Sequence, residues 1–331
     1  KEYIESDKTK IKDYVTDIRY SYNVTMNLYK NDLENIVRVN PTTVFDSVGM
    51  GTSGMSSIYS GYMSSYDVFY EMINNEELNK QQYDIVEGRW PEKYNEVVLQ
   101  VDENNQIADY TLYSLGILDQ NYLKEQFNNM ISGKKVKFEE TSYTYDEILD
   151  LSFKLVLNTD FYKKNNGIWV NMSNSKEHMK EVLKNAEDIK IVGIIKPNEE
   201  AISGGGSAGM VGYTKELKEH LINKINESEI VKEQLSNKEI NVFTGEKFSV
   251  NTTIDINNLS DDQKKYLATL TQEEQLAYLQ SLNQGTTSSY EENLRVLGVA
   301  DLSNPDQIAI YPKDFDSKEE ITKIIDEYNE G

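Results

Sequence analysis

Apolar residues in this chain arrive in short bursts, and their spacing switches repeatedly between a period of two and a period near 3.6. No stretch approaches the 18 or so apolar residues of a membrane span. Such a pattern restricts the chain to a mixture of short strands and amphipathic helices. The clearest piece is at the end, where Gln307-Ile-Ala-Ile-Tyr311 reads as a strand and Pro312 as a stop. Ser317-Lys-Glu-Glu320 then reads as a capping box leading a helix with Ile321, Ile324, Ile325 and Tyr328 on one stripe. At the other end, Ile11, Tyr14, Val15 and Ile18 fall at helical spacing and predict a helix over residues 8–19. The alternation of Tyr22, Val24, Met26 and Leu28 then predicts a strand.

Between these ends, a helix is predicted over 66–82, with short strands at Tyr83–Val86 and Val97–Leu99 flanking the turn Glu87–Glu96. Further strands are predicted near Lys135–Glu139, Phe153–Leu157 and Ile189–Ile195, with a helix over Lys176–Ala186. Thr214 is placed to cap a helix whose Leu217, Leu221, Ile222 and Ile225 share a face, and capping boxes at Ser260 and Thr271 predict two more. Residues 41–66 show neither period and read as a long flexible excursion. The fold class implied is α+β.

Charge removes one class of function. The 34 basic and 56 acidic residues leave a net charge of −22, whereas a nucleic-acid binder needs a basic face. With glycine counted and tyrosine left out, the apolar share is about 37%, below the ~45–50% of an ordinary globular domain. Two modest folded units are expected at this length. Without cysteine there are no disulfides, thiolate metal sites or cysteine nucleophiles.

No chemical motif is complete. Gly49, Gly51 and Gly54, and again Gly204, Gly206 and Gly209, have the spacing of a dinucleotide loop. Neither set follows a strand directly or opens a helix, as pyrophosphate binding requires. His178 and His220 belong to no ligand spacing and are expected on helix surfaces. Asp102–Gln106 is calcium-loop-like but lacks the glycine and the closing acid, which favours a solvated turn. The 23 tyrosines suit the margins of a core more than a sugar or peptide groove. Asn23 and Asn251 head glycosylation-type triplets from which nothing is drawn.

The word pattern carries more than the chemistry. Tyr83-Asp-Ile-Val-Glu-Gly-Arg-Trp-Pro-Glu-Lys-Tyr-Asn-Glu-Val-Val-Leu99 leads, followed by Asp102-Glu-Asn-Asn105, Leu112-Tyr-Ser-Leu-Gly116 and Phe153-Lys-Leu-Val156. Ile191-Val-Gly-Ile-Ile-Lys-Pro197, Val211-Gly-Tyr-Thr214 and Ile310-Tyr-Pro-Lys-Asp-Phe315 keep the same order. Across residues 66–331 the chain resembles the extracytoplasmic domain of MacB/FtsX-type ABC transporter permeases of Gram-positive bacteria. The resemblance implies a domain between the first two of four transmembrane helices, on the outer face of the cell membrane. It also implies a porter-like β-α-β part, residues 1–96 plus 290–331, and an inserted Sabre-like α/β lobe, residues 97–289. It implies no catalytic residue, metal or cofactor. A cytoplasmic ABC ATPase would drive the domain mechanically, beside a second permease copy and with an accessory protein or peptide substrate outside the cell, in export or in peptide resistance and sensing. Long surface loops are the expected contact sites, with Met50, Met55, Tyr59, Tyr62, Met210 and Tyr213 as candidates. Two alternatives stand beside this reading: a secreted or surface-anchored protein binding glycan or peptide, and a carboxylate-based hydrolase.

Overall fold

The computed structural model describes residues 1–39, 68–136, 140–198, 209–248, 259, 261–271, 275, 278–279 and 289–330, and it is of the mixed α+β class. At its centre is a sheet whose strands are β2 (Asn27–Lys30), β3 (Phe69–Glu71), β4 (Tyr83–Gly88), β5 (Glu96–Gln100), β6 (Ser152–Val156), β9 (Glu187–Pro197) and β10 (Val211–Tyr213). Their order is β2-β6-β9-β5-β10-β3, with β4 paired to the C-terminal half of β9. β5 runs parallel to β9 and β10 parallel to β3, and the remaining pairs are antiparallel.

All five residues of β5 are buried, which is what a strand covered on both faces requires of the run Val97-Val98-Leu99. Helix α7 (Lys215–Asn226) lays Leu217, Leu221, Ile222 and Ile225 into the interior, every one of them essentially fully buried. Around the sheet stand α2 (Glu76–Gln82), α3 (Asp109–Ser114), α4 (Gln120–Ile131), α5 (Tyr145–Leu149), α6 (Lys176–Asn185), α8 (Glu229–Ser236), α9 (Asp261–Leu267) and α10 (Tyr290–Leu297). A hairpin of β7 (Tyr162–Asn165) and β8 (Ile168–Asn171) lies beside them. Its Ile168 and Val170 pack with Tyr266 and Tyr278 in a small core of their own.

The chain's two ends form a separate, smaller layer. β1 (Val15–Ser21) pairs antiparallel with β11 (Gln307–Pro312), and α11 (Phe315–Glu330) packs Ile321, Ile324 and Ile325 with Ile4, Ile11, Ile308 and Ile310. The short helix α1 (Glu2–Glu5) closes the layer.

Several elements depart from the pattern in the sequence. Residues 15–21 are strand rather than helix, because Lys10 turns left-handed at φ 50° and β11 supplies pairing partners for β-branched and aromatic residues. Only Asn27–Lys30 of the alternating stretch 22–29 pairs, since Val24 N closes a tight turn on Tyr22 O and Asp306 takes the Asn23 amide. The stretch 66–82 divides into β3 and α2, with Asn75 capping the helix through Leu78 N. Lys135 and Val136 belong to no element, and 137–139 lie outside the described residues. Thr214 stands at the N-cap of α7 but makes no side-chain cap bond, and α11 begins three residues early because the carboxylate of Asp314, not Ser317, takes the free amide at 2.7 Å. Ser260, residues 272–274 of the capping box predicted at Thr271, the excursion 41–66 and Asn251 fall outside the described residues. β2, β3 and β4 share the central sheet with β5, β6, β9 and β10.

Candidate functional site

The motif that carries the resemblance builds a clamp. Gly88 ends β4 at φ +79°, and a Cβ there would stand 2.3 Å from Val192 O. Gly193 opposite it is equally confined, 2.2 Å from Arg89 O, and Arg89 N donates to Val192 O at 2.9 Å. Two backbones therefore touch where only glycine fits. Arg89 then forks onto Glu96, its two terminal nitrogens 2.8 and 2.7 Å from the carboxylate oxygens. The same carboxylate accepts the amides of Glu92 and Lys93 at 2.8 and 3.2 Å. The Arg89 hydrogen bonds outweigh burial and, with those amides, hold Glu96 down to about 2.

This clamp presents Trp90 to a cleft of about 640 Å³, within the usual size range of ligand sites. Trp90, Ile85 and Met72 are among its apolar lining residues, and Asn74 and Lys215 among its polar ones. A narrower recess of about 130 Å³ shares Met72, Ile73, Asn79 and Trp90 with that cleft. It runs in among Tyr70, Tyr83 and Ile195 and reaches Arg19 of β1. Burial pushes the phenols of Tyr70 and Tyr83 above their ordinary range.

A second cleft, about 450 Å³, lies between α6, the start of α8 and the hairpin, and includes Asp160, His178 and Trp169. Burial raises the carboxyl of Asp160 although Leu157 N donates to it, and burial pushes Tyr162 up to about 12. His178 spends Nε2 on the Asp160 carbonyl oxygen at 2.8 Å.

The two histidines are therefore not free surface groups. His220 lies 2.8 Å from Glu187 and stacks on Tyr94 at 3.9 Å, while Tyr94 donates to the same carboxylate oxygen at 2.9 Å. Burial opposes ionisation of Glu187, yet the bonds from Tyr94 and His220 and the charge of Lys224 hold its carboxyl below the ordinary range. His220 ties α7 to β9, and His178 ties α6 to the helical turn Asn158–Phe161. Asp102 closes an exposed turn on Asn104 N and Gln106 N, as its spacing predicts. Gly209, last of the second glycine set, leads into strand β10 and not into a helix. Among the described residues no group of three or more His, Asp or Glu side chains could hold a metal ion.

Of the candidate contact residues, Met50, Met55, Tyr59 and Tyr62 lie outside the described residues, as do Gly49, Gly51, Gly54, Gly204 and Gly206. Met210 is half-buried, its carbonyl taking Gln100 N, and Tyr213 is a core residue, 7% exposed. No motif in the sequence marks the Trp90 cleft as a whole. Its signal was the run from Gly88 to Glu96, whereas Arg19 stands too far along the chain to be associated with it. No protein family, no curated protein and no solved structure matches this chain.

Proposed function

We propose that the chain is the extracytoplasmic domain of a MacB/FtsX-type ABC transporter permease, a non-catalytic module that carries ATP-driven motion outward. The supporting observation is the joining of its two ends. Lys1 donates to Leu302 O at 2.8 Å, Tyr3 donates to Ile324 O at 3.3 Å, and the Tyr3 and Tyr328 rings meet at 4.5 Å. A domain suspended between two membrane helices must return to the point where it left. A displacement of either end is then felt by β1 and β11 together, and the Asp17 carboxylate passes it to the central unit through Asn74 N at 3.3 Å. No helix of the described residues is long and apolar enough to cross a membrane. In this reading the spanning segments lie outside residues 1–331, the ATPase acts from the cytoplasm, and a second permease copy and an accessory protein or peptide are the partners.

The chain contains no cysteine, so a single Glu319→Cys on the exposed side of α11 gives a clean reporter in a full-length protein otherwise free of cysteine. The reading predicts labelling by a membrane-impermeant maleimide in intact cells, together with retention in membranes after alkaline carbonate washing. Labelling only after lysis overturns it. Labelling with release by carbonate also overturns it, in favour of a secreted or surface-anchored binding protein.

A further inference from the structure

We propose that the recess beneath Trp90 binds an aromatic ring bearing a carboxylate, with Arg19 as the carboxylate anchor. Size sets the first constraint. An apolar cavity of about 150 Å³ takes up benzene, and the recess measures about 130 Å³, room for one ring. Its lining suits such a ring, since Tyr70, Tyr83, Trp90, Met72 and Ile195 outweigh the polar Asn79 and Gln82.

Charge sets the second constraint. A guanidinium carries five N–H donors, and Arg19 uses Nε alone, on Asp17 at 3.3 Å. Its face lies over the Tyr311 ring at 5.2 Å, and neither terminal nitrogen bonds a described residue. In a chain with 56 acids to 34 bases, a guanidinium fork left open at the end of an aromatic recess is matched by a carboxylate, which takes two parallel N–H bonds from it.

The wider cleft determines what else the ligand can carry. It continues from the recess past Asn74 and Lys215, so a chain attached to the ring has about 640 Å³ to occupy. A peptide with a C-terminal aromatic residue meets all three conditions, and a free aromatic acid meets the first two. Arg19 belongs to the terminal layer, while the aromatic walls belong to the central unit, so a bound carboxylate would link the two. This proposal stands on the recess alone and holds whether or not the permease reading does.

The experiment follows the two indole N–H resonances of the whole chain by NMR. Trp90 reports on the recess, and Trp169, held by Glu233 at 2.8 Å and lining the second cleft, reports any binding there. Phenylacetate and the tripeptide Ala-Ala-Phe should both move the Trp90 signal and leave Trp169 in place, with dissociation constants on the order of 1 mM for the smaller probe. Phenylacetamide, which lacks the charge, should bind about tenfold more weakly. Tighter binding of the tripeptide assigns the site to peptide ends, and equal binding assigns it to free acids. Arg19→Gln should lose about tenfold in phenylacetate affinity with the Trp169 signal unchanged. If that variant does not fold, Arg19→Lys, which keeps the charge without the fork, should lose about threefold. Equal binding of phenylacetate and phenylacetamide, movement of Trp169 in parallel with Trp90, or a Trp90 signal indifferent to every probe overturns the proposal.

Discussion

The central sheet and the layer made by the chain's ends use similar isoleucine-rich strands and differ in what covers them. In the centre, β5 and β9 have neighbours on both edges, and Val97, Val98, Ile189, Ile191, Ile194 and Ile195 are almost completely shielded from water. At the ends, β1, β11, α11, α1 and the turn at Ile11 share a core whose buried hydrophobic residues are Ile4, Ile11 and Ile321, while Tyr311, Phe315 and Tyr328 are exposed, Phe315 at 88%. A two-stranded sheet is marginal by itself in water. The terminal layer therefore depends on α11 and on its contacts with the centre, and it is the part that opens at least cost.

The two regions differ most at Phe153. Its ring is fully buried and meets Phe69 edge to face at 5.8 Å, so Phe153→Ala should cost about 4 kcal/mol and lower the denaturation midpoint of the whole chain. A loss confined to the terminal layer would reverse the ranking of the two regions. Next comes Glu96, whose clamp holds the Trp90 turn. Its folded carboxyl titrates at about 2 rather than the ordinary 4.5, so its contribution is complete above pH 4.5 and is lost as pH falls towards 2. Glu96→Gln should cost about 2 kcal/mol at neutral pH. Its stability should then be flatter with pH through the 4.5-to-2 window, read from urea midpoints at several pH values. An unchanged acid profile would remove Glu96 from that role.

Ile321→Ala should cost about 2 kcal/mol as well, but chiefly in the terminal layer, raising amide exchange in β1, β11 and α11 while β5 and β9 stay protected. Uniform loss of protection would make the two regions one cooperative unit. The smallest effect belongs to Tyr3→Leu, which removes the Tyr328 ring contact and should cost about 0.5–1 kcal/mol, read as a small drop in thermal midpoint.

How much of this was legible in the sequence depends on how local the deciding interaction is. β5, β6, β9, α6 and α7 were visible because their apolar spacing matches the element formed and each is buried accordingly, and β4 was visible although only Tyr83 of it is buried. The terminal layer was half visible. β11 and α11 stood out, but the spacing of Val15 and Ile18 fits a helix, and it is accommodated in β1 only by the bulge between Val15 and Asp17 and by a partner nearly three hundred residues away. The cleft was invisible for the same reason: Gly88, Arg89 and Glu96 are neighbours in sequence, and Arg19 reaches their recess only through the packing of the two regions.

Native-state hydrogen exchange of the whole chain, followed at increasing denaturant, tests the separation of the two regions most directly. The account predicts that the amides of β1, β11 and α11 exchange through one shared opening well below the free energy of global unfolding, while those of β5 and β9 exchange only with it. A single common opening for both sets would contradict it.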